Sequence, residues 1–197
     1  MQNLIIIDTG CANLSSVKFA FERLGYQPII SRDVNEIQAA DKLVLPGVGT
    51  AIAAMKNLQD RDLIETIRNL TQPTLGICLG MQLMTEFSGE GNVATLNLMP
   101  GHTELIPESG LPLPHMGWNT VCYKNGHPLF ADIPQESYFY FVHSYVVLPN
   151  MNTIATSEYG VPFSAALQKD NFYGVQFHPE RSGKVGAQLL RNFMENV

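Results

Sequence analysis

Cysteine stands where a nucleophile belongs in Gly76-Ile77-Cys78-Leu79-Gly80, between two glycines and at a junction where an apolar strand-like run gives way to helix periodicity. A sharp turn there projects the side chain over a sheet edge, and glycine on either side lets neighbouring backbone close around it. The helix expected from Leu79 brings free N–H groups and a positive dipole end to the sulfur, which favour a thiolate and can receive an oxyanion. The Leu79 N–H is the first donor in reach. Because a lone cysteine is commonly a small buried core residue, the pentapeptide by itself leaves nucleophile and core filler both open. Cys11 and Cys122 lack the glycine pair and read as packing residues.

A thiol nucleophile needs an imidazole to take its proton and an acid to hold that imidazole. His178-Pro179-Glu180 supplies both, because residues i and i+2 on extended chain point the same way and proline fixes the backbone between them. Phe172 to Phe177 reads as a strand that delivers His178 to its end. The assignment is Cys78 as nucleophile, His178 as general base and Glu180 as the orienting carboxylate. His102, His115 and His127 lie in a Pro- and Gly-rich middle without a comparable partner and read as surface or packing residues. His143 follows the aromatic run Tyr138 to Val142 and is placed to line a pocket.

The elements that must position these residues are legible in the first half. Leu4 to Ile7, Gln27 to Ser31, Lys42 to Leu45 and Thr74 to Cys78 are short apolar runs, separated by helix-periodic stretches. The stripe Leu14, Val17, Phe21, Leu24 ends at Gly25, Asp33 and Glu36 form a capping box, and helices are expected over 51–58, 62–70 and 79–87. This alternation predicts an α/β fold: an open, mostly parallel sheet flanked by helices, with ligands at the carboxyl ends of its strands. From about Pro100 the texture changes. Runs at 138–142, 153–157, 164–168 and 172–177 follow at hairpin-like spacing and predict antiparallel strands added in the C-terminal half, before a closing helix with Ser182 at its N-cap.

The chain has 197 residues, 45% of them hydrophobic and 15% charged, which suits one domain over 1–197. Twelve basic against eighteen acidic residues give a net charge of −6, with no basic run. Nucleic acid and anionic membrane surfaces are therefore not expected partners, and no run is long enough for a membrane span or signal-peptide core. Three cysteines without a CxxC pair fit a reduced, cytoplasmic setting and argue against disulfides and zinc. No cofactor and no metal are called for.

Pro46-Gly47-Val48-Gly49, Gly76-Ile77-Cys78-Leu79-Gly80-Met81-Gln82 and Gly174-Val175-Gln176-Phe177-His178-Pro179-Glu180, in that order, resemble class I (triad-type) glutamine amidotransferases. Asp8 to Asn13, His115-Met116-Gly117-Trp118-Asn119 and Phe141 to Tyr145 narrow the resemblance, which covers essentially the whole chain, although Thr9, Cys11 and Ala12 depart from the common Asp-Tyr-Gly-x-Gly-Asn form. The resemblance implies hydrolysis of glutamine to glutamate and ammonia through a γ-glutamyl thioester on Cys78. It also implies oxyanion donors near Gly47 and Val48, and glutamine contacts from Gln82, Ser144 and Tyr145, beside which His143 is a further substrate-binding candidate. It further implies a heterodimer with a (β/α)₈-barrel synthase that receives ammonia through an interface channel. Asn13, Trp118 and Lys184 are interface candidates: the lone Trp118, in a Pro/Gly-rich loop, reads as an interface anchor or a core-packing residue, and Lys184 as an interface residue or a solvated helix-start charge. The glycines flanking Val48 would let the oxyanion loop stay misaligned until the synthase binds its ligand. A glutaminase serving an anthranilate, guanylate or pyridoxal phosphate synthase, or a non-catalytic scaffold, are the alternatives. The His115–Asn119 and Asp8–Asn13 segments speak against the first, and the intact triad against the second.

Overall fold

In the computed structural model, which describes residues 1–10 and 13–197, four short strands build the start of a sheet: β1 (Leu4–Ile7), β2 (Ile29–Ser31), β3 (Lys42–Leu45) and β4 (Thr74–Ile77). The runs lack polar alternation because both faces are covered. Leu4 and Ile6 turn to one core cluster, with Phe21, Leu189 and Phe193, whereas Ile5 and Ile7 turn to the other, with Met55, Leu58 and Ile67. The covering helices are α1 (Leu14–Arg23), α2 (Val34–Ala39), α3 (Ala51–Asp60), α4 (Ile64–Arg68), α5 (Leu79–Leu83) and, at the end of the chain, α6 (Gly183–Glu195).

The second half adds β5 (Phe87–Ser88), β6 (Val93–Ala94), β7 (His102–Leu105), β8 (His115–Tyr123), β9 (Ser137–His143), β10 (Tyr145–Val147), β11 (Thr153–Tyr159), β12 (Val161–Lys169) and β13 (Phe172–Val175). A nine-stranded sheet runs β2-β1-β3-β4-β13-β12-β11-β8-β9, and a four-stranded sheet runs β10-β7-β5-β6. The expected architecture of parallel strands with antiparallel additions is present. One strand belongs to both parts: β13 pairs antiparallel with β12 but parallel with β4, with Val175 opposite Ile77. That register ends the two strands together, so Cys78 and His178 leave the sheet at the same carboxyl edge.

Three local expectations change. The helix expected over 79–87 stops at Leu83, because the loop that follows takes its last carbonyls: Leu96 N–H donates to Leu83 O, and the Leu98 and Met99 N–H groups to Met84 O. The capping box is shared. Glu36 N–H donates to the Asp33 carboxylate, but Glu36 turns its own carboxylate to the Ser31 hydroxyl, which in turn accepts from Asp33 N–H. Trp118, expected in a Pro/Gly-rich loop, lies on β8, where Gly117 at φ 133° stays paired with Phe141 and the β9 register runs on unbroken. Cys11 and Ala12 lie outside the described residues, and Cys122, read as a packing residue, is instead exposed, because the alternation along β8 turns its neighbour Val121 inward. Among the described residues no helix is long and apolar enough to cross a membrane.

Candidate active site

Cys78 occupies the turn between β4 and α5 at φ 53°, ψ −110°, a backbone conformation that costs an L-residue on the order of 1–3 kcal/mol. The surroundings hold it there. A Cβ on Gly80 would lie 1.9 Å from the Leu45 carbonyl oxygen, and one on Gly76 would lie 2.8 Å from the Gly80 carbonyl carbon and oxygen. The two glycines thus let β3, β4 and α5 close on each other around the cysteine. Because α5 has only five residues, what it can offer a developing oxyanion is its first-turn N–H groups rather than the dipole of a long helix.

His178 follows β13, and its backbone is clamped to β9: its N–H donates to Tyr140 O (2.9 Å), while the Ser182 hydroxyl donates to His178 O (2.6 Å) and accepts from Tyr140 N–H (3.0 Å). Ser182 holds the N-cap position of α6, but its hydroxyl serves this clamp instead of the helix. The His178 Nδ1 lies 2.7 Å from Glu180 Oε1, and the ring lines the same cavity as the Cys78 sulfur. Burial opposes a charge on this imidazole, which is 3% exposed, but the hydrogen bonds and negative charges of Cys78 and Glu180 prevail and push its pKa up to about 10. Sulfur, imidazole and carboxylate are therefore gathered at one sheet edge, with the imidazole coupled to both of the others.

A cavity of about 280 Å³ opens in front of the sulfur, lined among others by Val48, Gln82, Glu90, His143, Ser144 and Tyr145. Gly47 is set back from it: its Cα side packs against Leu79 and Gly80, and it lines a small separate cavity with Asn13 and Glu180. Val48 and Gly49 face the substrate cavity, as does Leu79. Gln82 is buried, and its amide nitrogen donates to Tyr145 O (3.1 Å) and to Gln176 Oε1 (2.9 Å). Only its oxygen is left for a ligand.

Two further residues belong to this site without having been singled out in the sequence. Gln176, buried at the end of β13, donates its amide N–H toward the Cys78 sulfur at 3.7 Å. A glutamine between Val175 and Phe177 was its only signal. Glu90 lines the cavity while one oxygen accepts from Ala51 N–H (2.8 Å) at the start of α3, and nothing in its local sequence points there. His115, expected as a surface or packing residue, is buried and bonded to His143. Of the interface candidates, Trp118 is 55% exposed and packs edge-on against Tyr140, Lys184 is exposed at the start of α6, and Asn13 holds the N-cap position of α1 beside Glu180.

Known proteins carry the same pattern. The family model described as glutamine amidotransferase class-I matches residues 5–197. The imidazole glycerol phosphate synthase subunit HisH of Mannheimia succiniciproducens is 76% identical over 98% of this chain and 100% of its own length. The protein of the same name from Pasteurella multocida is 68% identical over 100% of both. Among solved structures, the crystal structure of a glutamine amidotransferase from Thermotoga maritima shares the fold. Its TM-score is 0.64 at 17% identity, covering 100% of this chain and 84% of that one. With its cysteine elbow, its imidazole and carboxylate at the same sheet edge, and full-length relatives, the chain belongs to the class-I glutamine amidotransferase family.

Proposed function

We propose that residues 1–197 form one glutaminase domain that supplies ammonia to imidazole glycerol phosphate synthase in histidine biosynthesis. The placement of Cys78 and His178 on one cavity, with Glu180 hydrogen-bonded behind the imidazole, carries this reading, and the full-length HisH relatives support the choice of synthase.

The Cys78 sulfur, as thiolate, adds to the side-chain amide carbon of glutamine. The oxyanion forms beside the Leu79 N–H and the loop at Gly47 and Val48, whose glycines leave its peptide planes free to turn when the partner binds its ligand. His178 gives its proton to the departing nitrogen, ammonia leaves, and a γ-glutamyl thioester remains on Cys78. The ring, now neutral, takes a proton from water as that water attacks the thioester, and glutamate is released. Glu180 holds the imidazole in register throughout. Glu90 offers a carboxylate to the substrate's α-ammonium at the cavity wall, and Gln82, His143, Ser144 and Tyr145 complete the walls.

The ammonia passes through an interface channel to a (β/α)₈-barrel cyclase, the other half of a cytoplasmic heterodimer that makes imidazole glycerol phosphate and aminoimidazole carboxamide ribotide. Asn13, Trp118 and Lys184 support a docking face behind the triad. Asn13 shares a cavity with Glu180 and His178, Lys184 shares another with Glu180, and Trp118 rests on Tyr140, to which the His178 backbone is clamped. The test is Cys78→Ser in the two-subunit enzyme. Glutamine-dependent synthesis should fall at least a thousandfold, while ammonium-dependent synthesis and partner binding persist. Surviving glutamine-dependent synthesis would remove Cys78 from the nucleophile's role.

A further inference from the structure

We propose that His115 and His143 are positioning residues for glutamine. A one-way chain of hydrogen bonds through both rings, each in its Nδ1–H tautomer, pins the strand crossing that forms one wall of the substrate cavity. The inference rests on the glutaminase reading above and adds residues and a tautomeric state to it.

The backbone crosses from the nine-stranded to the four-stranded sheet at Ser144, between the end of β9 at His143 and the start of β10 at Tyr145. These three residues all line the cavity. At the crossing, Tyr145 O receives two donors, Gln82 Nε2 at 3.1 Å and His143 Nδ1 at 2.9 Å. A carbonyl oxygen can only accept, so the His143 Nδ1 carries a hydrogen. His143 Nε2 lies 2.8 Å from His115 Nδ1, its cross-strand partner in the β8–β9 register. With His143 neutral, its Nε2 is a lone pair and the His115 Nδ1 must be the donor. His115 Nε2 then presents a lone pair to Asn119 Nδ2 at 3.3 Å. Asn119 cannot reverse its amide without loss, because the same Nδ2 donates to Glu158 O (2.8 Å) and Oδ1 accepts from Thr120 N–H (2.8 Å).

Every donor along this path points toward the cavity. Burial reinforces the neutral state, lowering both rings to about 4, and no carboxylate bonds to either. His115 also stacks on Tyr159, at 4.1 Å between centroids, and on Phe141, at 5.1 Å, which fix the plane of its ring, and a half-turn that keeps that plane would put carbons where its nitrogens meet His143 and Asn119. A free neutral imidazole commonly carries its hydrogen on Nε2. Two adjoining rings both held in the other form are a state the fold imposes, and their effect is to fix where Ser144 and Tyr145 stand.

Two measurements test this. Long-range ¹H–¹⁵N spectra of the intact protein at neutral pH should show both rings neutral with Nδ1 protonated. An Nε2–H tautomer in either ring would overturn the chain. In the complex with the cyclase subunit, His115→Phe keeps the aromatic stack but removes the donor, and should raise the glutamine KM about tenfold with kcat changed less than about threefold. His115→Gln, which can donate and accept at the two ends, should return KM to within about threefold of the parent. An unchanged KM in the phenylalanine variant, or equal losses in both variants, would overturn the proposal. Should the phenylalanine variant fail to fold, the glutamine variant and the spectra decide it. Failure of the glutaminase reading looks different: the parent complex would then release no glutamate at any glutamine concentration, whatever the tautomers.

Discussion

Two sets of buried histidines flank the same cavity and end in opposite protonation states. His178 is 3% exposed, His115 4% and His143 6%, so desolvation works against a charge in all three. His178 nevertheless holds its proton up to about 10, because the Cys78 sulfur and the hydrogen-bonded Glu180 carboxylate both favour the charged ring. His115 and His143, whose partners are a carbonyl, an amide and each other, are lowered to about 4. Burial alone therefore does not set the state of a histidine here. The charge of the partner decides whether the ring is protonated, and the direction of the partner's hydrogen bond decides which nitrogen carries the hydrogen.

Removing the charge at one end breaks this contrast most severely. Glu180→Gln keeps the shape of the carboxylate but presents an amide that can hold the ring in the wrong tautomer. It should lower kcat for glutamine hydrolysis by roughly 10³- to 10⁴-fold while the protein stays folded. The His178 pKa should move down, measurable by ring NMR. If activity survived with a neutral partner, the anion would not be what separates the two regions.

A smaller effect is expected where the regions meet. Gln176 links them, with one end of its amide at the Cys78 sulfur and the other at Gln82, which in turn bonds Tyr145 O. Gln176→Leu leaves a buried Gln82 N–H without its Gln176 acceptor and should cost about tenfold in kcat/KM, with kcat and KM both affected. A change confined to KM would place Gln176 with the histidine pair alone.

What was legible in the sequence follows the same division. The charged region announced itself, because Cys78 sits between two glycines that the close approach of Leu45 and Gly80 requires, and because Glu180 is only two residues from His178. The parallel sheet was readable for a related reason: strands covered on both faces have no polar alternation to obscure them. The neutral region was not readable. Its members stand at 115, 119, 143 and 145, joined by cross-strand register that no local pattern encodes. Pro112, Pro114 and Gly117 gave β8 the look of a loop, and two-residue strands such as β5 and β6 leave no periodicity to find. Glu90 and Gln176 escaped because their roles depend on which strands end beside Cys78.

The comparison also predicts two separable limbs of pH dependence in stability. Above about pH 6.5 the unfolded chain sheds a proton that folded His178 keeps, so its stabilising contribution is complete below that pH and is lost as pH rises through about 10. Below about pH 6.5 the unfolded chain takes up protons that His115 and His143 refuse, so their contribution is complete above that pH and is lost as pH falls toward about 4. Each proton sets a limiting slope of about 1.4 kcal/mol per pH unit. Urea unfolding across this range should show His178→Asn chiefly reducing the basic limb and His115→Phe chiefly reducing the acid limb, with a small crossover because the His178 charge is one of the causes that lower His143. Were one variant to alter both limbs equally, the two regions would titrate as a single coupled unit, and the hydrogen-bond path from Tyr145 through Gln82 and Gln176 to the Cys78 sulfur would be the route of that coupling.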